Sequence, residues 1–146
     1  MTEKKRKIHV VGINSYKFED LSFKLQNLFF ETENIAVPNS YFEKIKSWNE
    51  NGLEKKKSFF SSKSNNELIQ WLRSQKTDVI LISRGDPLCF GIARILLENF
   101  SKDELSFYPS NSCIQLAFSK LKIPWQDAIN VSIHGRDSTK LVESLP

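Results

Sequence analysis

The chain has 146 residues with a net charge of +4, and 40% of its residues are hydrophobic and 26% charged, a composition that fits one globular domain burying roughly 70% of its unfolded surface. Its two cysteines, Cys89 and Cys113, form no Cys-x-x-Cys pair, and with only His9 and His134 beside them neither a zinc cluster nor a disulfide framework is expected, which fits a reducing cytoplasm. No apolar run approaches the roughly 20 residues that cross a bilayer, so no membrane partner is expected either.

Residues 8–13, Ile-His-Val-Val-Gly-Ile, read as a first buried strand that follows a basic run, Lys4 to Lys7. Such a run is expected to be solvated rather than to bind a polyanion. The turn after the strand has a single glycine, Gly12, so the dinucleotide-binding fingerprint is absent, and no Walker loop occurs elsewhere. Leu21, Leu25, Leu28 and Phe29 recur at helical spacing and predict a first crossover helix. Ile35 to Val37 predicts a short strand ended by Pro38. The capping-box pattern Ser40-Tyr-Phe-Glu43 then predicts a short helix carrying Ile45 and Trp48.

Residues 49–63 are polar and lysine-rich and are expected to form a surface loop. Phe59 and Phe60 interrupt it beside basic residues, but without a second aromatic platform they make no nucleic-acid surface, and no nucleic-acid partner is expected. Ser64-Asn-Asn-Glu67 is a second capping box opening a helix with Leu68, Ile69 and Leu72.

Val79 to Ile82 is an uninterrupted apolar run, the pattern of a strand buried on both faces. It stops at Ser83-Arg84-Gly85-Asp86, and Pro87 suits the first turn of a helix, with Ile92 and Leu96 directed to the sheet. Leu105 to Tyr108 predicts another strand and Pro109 to Ser112 another polar loop. Ile114, Ala117, Phe118 and Leu121 make a further helical stripe, and Asn130 to Ile133 a last strand. Alternating strands and helices imply an α/β fold, a doubly wound and mainly parallel sheet with right-handed crossovers. The loops Arg84–Pro87 and Pro109–Cys113 are then expected at one carboxyl edge of the sheet, where open α/β proteins bind ligands.

Three ordered motifs carry a resemblance. They are Ser83-Arg-Gly-Asp-Pro-Leu-Cys-Phe-Gly91 with its continuation to Glu98; Pro109-Ser-Asn-Ser-Cys-Ile-Gln-Leu-Ala-Phe-Ser-Lys-Leu121; and Pro124-Trp-Gln-Asp-Ala followed by Val131-Ser-Ile-His-Gly-Arg-Asp137. Together they resemble the tetrapyrrole methylases, in the branch of precorrin-6Y and cobalt-precorrin C5-methyltransferases of cobalamin synthesis. The match is dense from Asp78 to Asp137 and weaker at Val10-Val-Gly-Ile. The resemblance implies S-adenosylmethionine as methyl donor, held by Arg84, Gly85, Asp86 and Pro87 on one wall and Ser112 and Cys113 on another. It also implies a precorrin or cobalt-precorrin substrate, contacted by His134 and by a bidentate pairing of Arg136 with a peripheral carboxylate. No catalytic side chain is implied, since methyl transfer from a sulfonium needs positioning rather than a nucleophile. At Asn14 the family usually has a second glycine; asparagine tolerates positive φ and is expected to substitute.

The same resemblance divides the chain into an N-terminal methylase domain, residues 1–124, and a linker with the incomplete start of a second domain, residues 125–146. A lone strand cannot bury its faces, so the expectation is one domain of a longer enzyme, inactive by itself and open to pairing with a second copy through an exposed edge. Two other readings stand beside this one: methylation at a different tetrapyrrole carbon, and a non-catalytic binding domain completed by a partner chain.

Overall fold

The structure, a computed structural model, describes residues 5–50, 57–133 and 138–144. The chain divides into two compact units, Met1–Ser112 and Cys113–Pro146.

The first unit is built on five parallel strands: β1 (Ile8–Ile13), β2 (Asn34–Ala36), β3 (Ser58–Phe60), β4 (Val79–Arg84) and β5 (Leu105–Tyr108), in spatial order β3-β2-β4-β1-β5. The doubly wound α/β expectation holds. Strand β4, last but one in sequence, occupies the centre, pairing with β1 from Ile8↔Val79 to Ile13↔Arg84 and with β2 from Asn34↔Val79 to Ala36↔Leu81. Its apolar run serves both faces. Val79 and Leu81 join the core under helices α3 (Asn65–Ser74) and α4 (Ala93–Asn99), where Leu72 and Leu96 are fully buried. Ile80 and Ile82 join the opposite core under α1 (Phe23–Glu31) and α2 (Phe42–Ile45), with Phe29, Ile45 and Trp48. Trp48 satisfies its indole N–H by donating to the carbonyl of Tyr16 at 2.7 Å, as a buried tryptophan must.

The second capping-box pattern caps its helix, though without the reciprocal bond: the Ser64 hydroxyl accepts from the Glu67 N–H at 3.2 Å, but Glu67 Oε2 accepts from the N–H of Lys63, one residue before the cap, at 2.8 Å. The first does not. After Pro38 the chain makes a single 3-10 turn, Asn39–Tyr41, and α2 begins at Phe42 without a side-chain cap. The surface loop expected over residues 49–63 contains an edge strand instead. Phe59 and Phe60 pair with Ile35 and Ala36 and pack against the two opposite cores, because alternating side chains of a strand reach both faces. Within the described residues, Lys57 precedes that strand and donates from Nζ to the carbonyls of Phe30 and Thr32 at 2.7 and 2.8 Å, closing the last turn of α1.

The second unit contains α5 (Cys113–Leu121) and α6 (Thr139–Glu143). Helix α5 ends in a Schellman motif, with Lys122 at φ 57° where glycine is usual, the Ile123 N–H bonded to Phe118 O and the Lys122 N–H to Ser119 O. Its apolar stripe is not buried: Ile114 and Phe118 are half-buried, while Ala117 and Leu121 are exposed. The strand expected over Asn130–Ile133 does not form. Residues 130–133 are irregular and Ile133 is exposed, as befits a segment that pairs with none of the five strands, since extended backbone needs a ladder partner to become a strand.

Candidate functional site

Strands β1 and β4 are neighbours, yet the helices that follow them cover opposite faces of the sheet. That makes the gap between their carboxyl ends a topological switch point, the place where open α/β sheets leave a crevice. Three loops meet there. The Gly85 N–H donates to Ile13 O at 2.9 Å, and the Asn14 amide donates to the Ser110 hydroxyl at 2.6 Å. A Cβ built on Gly12 would lie 2.2 Å from Gly85 O, 2.9 Å from Pro87 Cδ and 3.1 Å from Ser110 Cβ. Glycine at 12 is therefore demanded by space. At 85 it is demanded by conformation, since φ is +59° there, and an added Cβ would meet only Asn111 O at 3.4 Å and Ser112 Cα at 3.8 Å.

The loop after β4 is longer than the sequence suggests. Pro87 does not open a helix; α4 starts at Ala93. Asp86 instead folds the chain into an Asx turn, accepting from the Leu88 N–H at 2.9 Å through Oδ1 and from the Cys89 N–H at 3.1 Å through its carbonyl. Phe90 follows at φ 52°, and Gly91 passes so close to Pro87 that a Cβ would lie 2.7 Å from its carbonyl oxygen. This side of the crevice therefore offers turn backbone and not the first turn of a helix. The left-handed role expected of Asn14 is not observed either; among described non-glycine residues only Phe90 and Lys122 have positive φ. Asn14 acts through its side chain, tying the β1 turn to the β5 loop.

Of the residues singled out in the sequence, Arg84, Gly85, Asp86, Pro87 and Ser112 lie at this edge, and Ser112 is buried. Cys113 is the exposed first residue of α5, in the second unit. His134 and Arg136 lie outside the described residues. The sequence reading missed an aromatic and cationic cluster on the α1 side. Tyr16 packs edge-on against Tyr41 with centroids 4.8 Å apart, and Lys44 Nζ stands 4.3 Å from the Tyr16 ring. Burial, then a hydrogen bond with Tyr16, push the Tyr41 phenol above its ordinary range, and the Arg84 charge pulls the other way. No periodic signal links these residues; only their common place beyond strand ends does.

Among the described residues no group of three His, Cys, Asp or Glu side chains is placed to hold a metal ion. Among them too, no helix is long and apolar enough to cross a membrane. The crevice is suited to gripping a ligand through backbone and short polar side chains.

A family model described as Tetrapyrrole (Corrin/Porphyrin) Methylases matches residues 7–145. Among curated proteins, the "Probable cobalt-precorrin-7 C(5)-methyltransferase" of Methanocaldococcus jannaschii is 31% identical over 75 residues, which are 51% of this chain and 36% of that protein. The "Precorrin-6Y C(5,15)-methyltransferase [decarboxylating]" of a Sinorhizobium species is 33% identical over 69 residues, 47% of this chain and 17% of that protein. The chain thus matches well under half the length of these relatives. Among solved structures, the cobalamin-biosynthesis precorrin-6Y methylase of Archaeoglobus fulgidus superposes with a TM-score of 0.61 at 20% identity, covering 83% of this chain and 60% of that one. The methyltransferase CobJ superposes with a TM-score of 0.68 at 17% identity, covering 95% and 62%. At such identities these two likenesses speak to the fold.

Proposed function

The chain belongs to the tetrapyrrole (corrin/porphyrin) methylases, and from that premise we propose that it takes part in S-adenosylmethionine-dependent methyl transfer to C5 of a precorrin or cobalt-precorrin. The observation that carries the reading is the meeting of the β1, β4 and β5 loops at the switch point, with glycine favoured at 12 by crowding and at 85 by a positive φ. The curated relatives named for C5 methylation favour this carbon over others of the macrocycle.

The residues fit a donor of this kind. The crevice has no Cβ at Gly85, a rigid turn at Asp86–Pro87, and short polar groups at Ser110 and Ser112. When bound, S-adenosylmethionine would supply an electrophilic methyl group on a positively charged sulfur. The chain's own part is to hold the two reactants about 3 Å apart and in line, the proximity contribution that can supply several kcal/mol of a barrier. Gly85 and Pro87 fix where the donor lies, and the Asn14–Ser110 bond holds two of the three loops at constant spacing. In the same reading Cys113 extends the donor wall, and His134 and Arg136 belong to the tetrapyrrole side.

Calorimetric titration with S-adenosylhomocysteine tests the donor site. Gly85→Ala narrows the space between the β4 and β5 loops and is expected to weaken binding tenfold or more in a protein that keeps its far-ultraviolet circular dichroism. An unchanged affinity in that folded variant overturns the assignment.

A further inference from the structure

A second depression flanks β4 on its other side. The β2–β4 ladder ends at Ala36↔Leu81, and residue 38 is a proline with no N–H to extend it. Strand β4 continues to Arg84. The backbone of β2 therefore turns away while β4 runs on, and a pocket of about 260 Å³ opens between them, closed at its far side by the segment Ser62–Asn65 that leads from β3 into α3. Its floor is apolar, made by Leu68, Leu81 and Ile92. Its rim carries the amides of Asn39 and Asn65 and two cations, Lys63 and Arg84, with no carboxylate among the lining residues.

Ser83 gives the pocket a direction. It alternates with Val79 and Leu81 on β4 and so shares the sheet face on which Leu68 and Ile92 lie. The residue is only 6% exposed, and its hydroxyl makes no hydrogen bond with any described residue. Among the described residues no fully buried side-chain oxygen lacks a partner, so this hydroxyl is open to the cavity that Ser83 lines and can bond to an occupant there.

From this we infer that the pocket is a subsite for a carboxylate on a short aliphatic arm, an acetate or propionate of the tetrapyrrole. The arm's methylenes lie on the apolar floor while the Ser83 hydroxyl and the Lys63 ammonium meet the carboxylate. The volume is below the roughly 300 Å³ at which sites for whole ligands begin, so it suits one arm of a larger molecule. The inference rests on the reading of the chain as a tetrapyrrole methylase. It places one carboxylate arm of the second reactant across β4 from the donor crevice, with the macrocycle reaching over the carboxyl end of that strand to the donor.

Two probes separate this inference from that reading. The first is glutarate, with glutaramide as its uncharged control, followed by amide NMR shifts. Glutarate alone is expected to move the signals of Val37, Asn39 and residues 62–65 and 83–84, and the response is expected to vanish in Ser83→Ala and in Lys63→Gln. The second is uroporphyrin I, a tetrapyrrole bearing acetate and propionate arms, followed by fluorescence quenching; both variants are expected to weaken it at least fivefold without changing S-adenosylhomocysteine affinity. Ser83→Ala is expected to keep or raise Tm, where a purely structural serine would lower it. No glutarate response, or uroporphyrin binding indifferent to both variants, overturns the subsite. Loss of S-adenosylhomocysteine binding instead would give the pocket to the donor and also overturn it. A glutarate response without uroporphyrin binding supports the carboxylate pocket and counts against the tetrapyrrole reading.

Discussion

Gly12→Ala is the sharpest perturbation of the loop junction. The new methyl would start 2.2 Å from Gly85 O, whereas carbon–oxygen contacts settle at about 3.3 Å or more, so the β1 and β4 loops must part by about 1 Å. Neither contact is with the free end of a flexible side chain; Gly85 O is backbone and Pro87 Cδ belongs to a ring. Overpacking of this kind costs about 1–3 kcal/mol. The same parting stretches the 2.9 Å bond from the Gly85 N–H to Ile13 O, worth about 0.5–1.5 kcal/mol. The expected loss is therefore about 1.5–4.5 kcal/mol, read as a lower urea midpoint at unchanged slope. Gly85→Ala is the internal control. There the space exists and only the left-handed backbone is penalised, by about 1–2 kcal/mol, so it is expected to be the milder substitution. A Gly12→Ala protein within about 0.5 kcal/mol of wild type, the range of ordinary surface changes, or the reverse order of the two variants, refutes the packing argument.

Lys57→Met leaves the Phe30 and Thr32 carbonyls without their buried donor and is expected to cost about 2–4 kcal/mol in the same denaturation assay. Glu104 is held below its ordinary pKa, first by the hydrogen bond from Arg6 and then by the Ser101 N–H. Its contribution is present above pH 4.5 and fades as pH falls through the depressed value, so Glu104→Gln is expected to flatten the acid limb of the stability profile and to lower stability at neutral pH. Burial, and then the charge of Asp78, raise the Tyr108 phenol above 10. That contribution is complete below pH 10 and is lost as pH rises through the raised value. Tyr108→Phe is accordingly expected to show a shallower alkaline decline, while losing about 1 kcal/mol at neutral pH with its 3.0 Å contact to His9 Nδ1.

The central strand was legible because four apolar residues in a row leave β4 no solvent face, and β1 and β5 followed from the same logic. Strand β3 was not, because Ser58–Phe60 is three residues long and adjoins lysines; its pairing with β2 is a tertiary fact. Pro87 misled for a similar reason. Its fixed φ suits a turn as well as a first helical residue, and the side chain of Asp86 decided for the turn. The glycines of the site were visible, but not their different reasons, since crowding at Gly12 depends on Ser110 and Pro87, which are remote in sequence. Ser83 read as loop and is a strand residue; nothing local marks the end of the β2 ladder that opens the space beside it.

The strand order also bears on how the chain is made. Strands β1 and β2 are consecutive in sequence but never touch, because β4 lies between them. While a ribosome is still adding residues before Val79, β1 has no neighbour at all: both of its partners, β4 and β5, come later. A wholly apolar-environment strand, six residues buried end to end in the finished protein, must therefore wait in the open until the middle of the sheet is delivered. Sheets closed by such distant pairings form slowly and pass through adhesive intermediates. Until β4 arrives, the emerging first half of this chain leaves the apolar edges of β1 unpaired, and the pairing of β4 with β1 is the event that closes them.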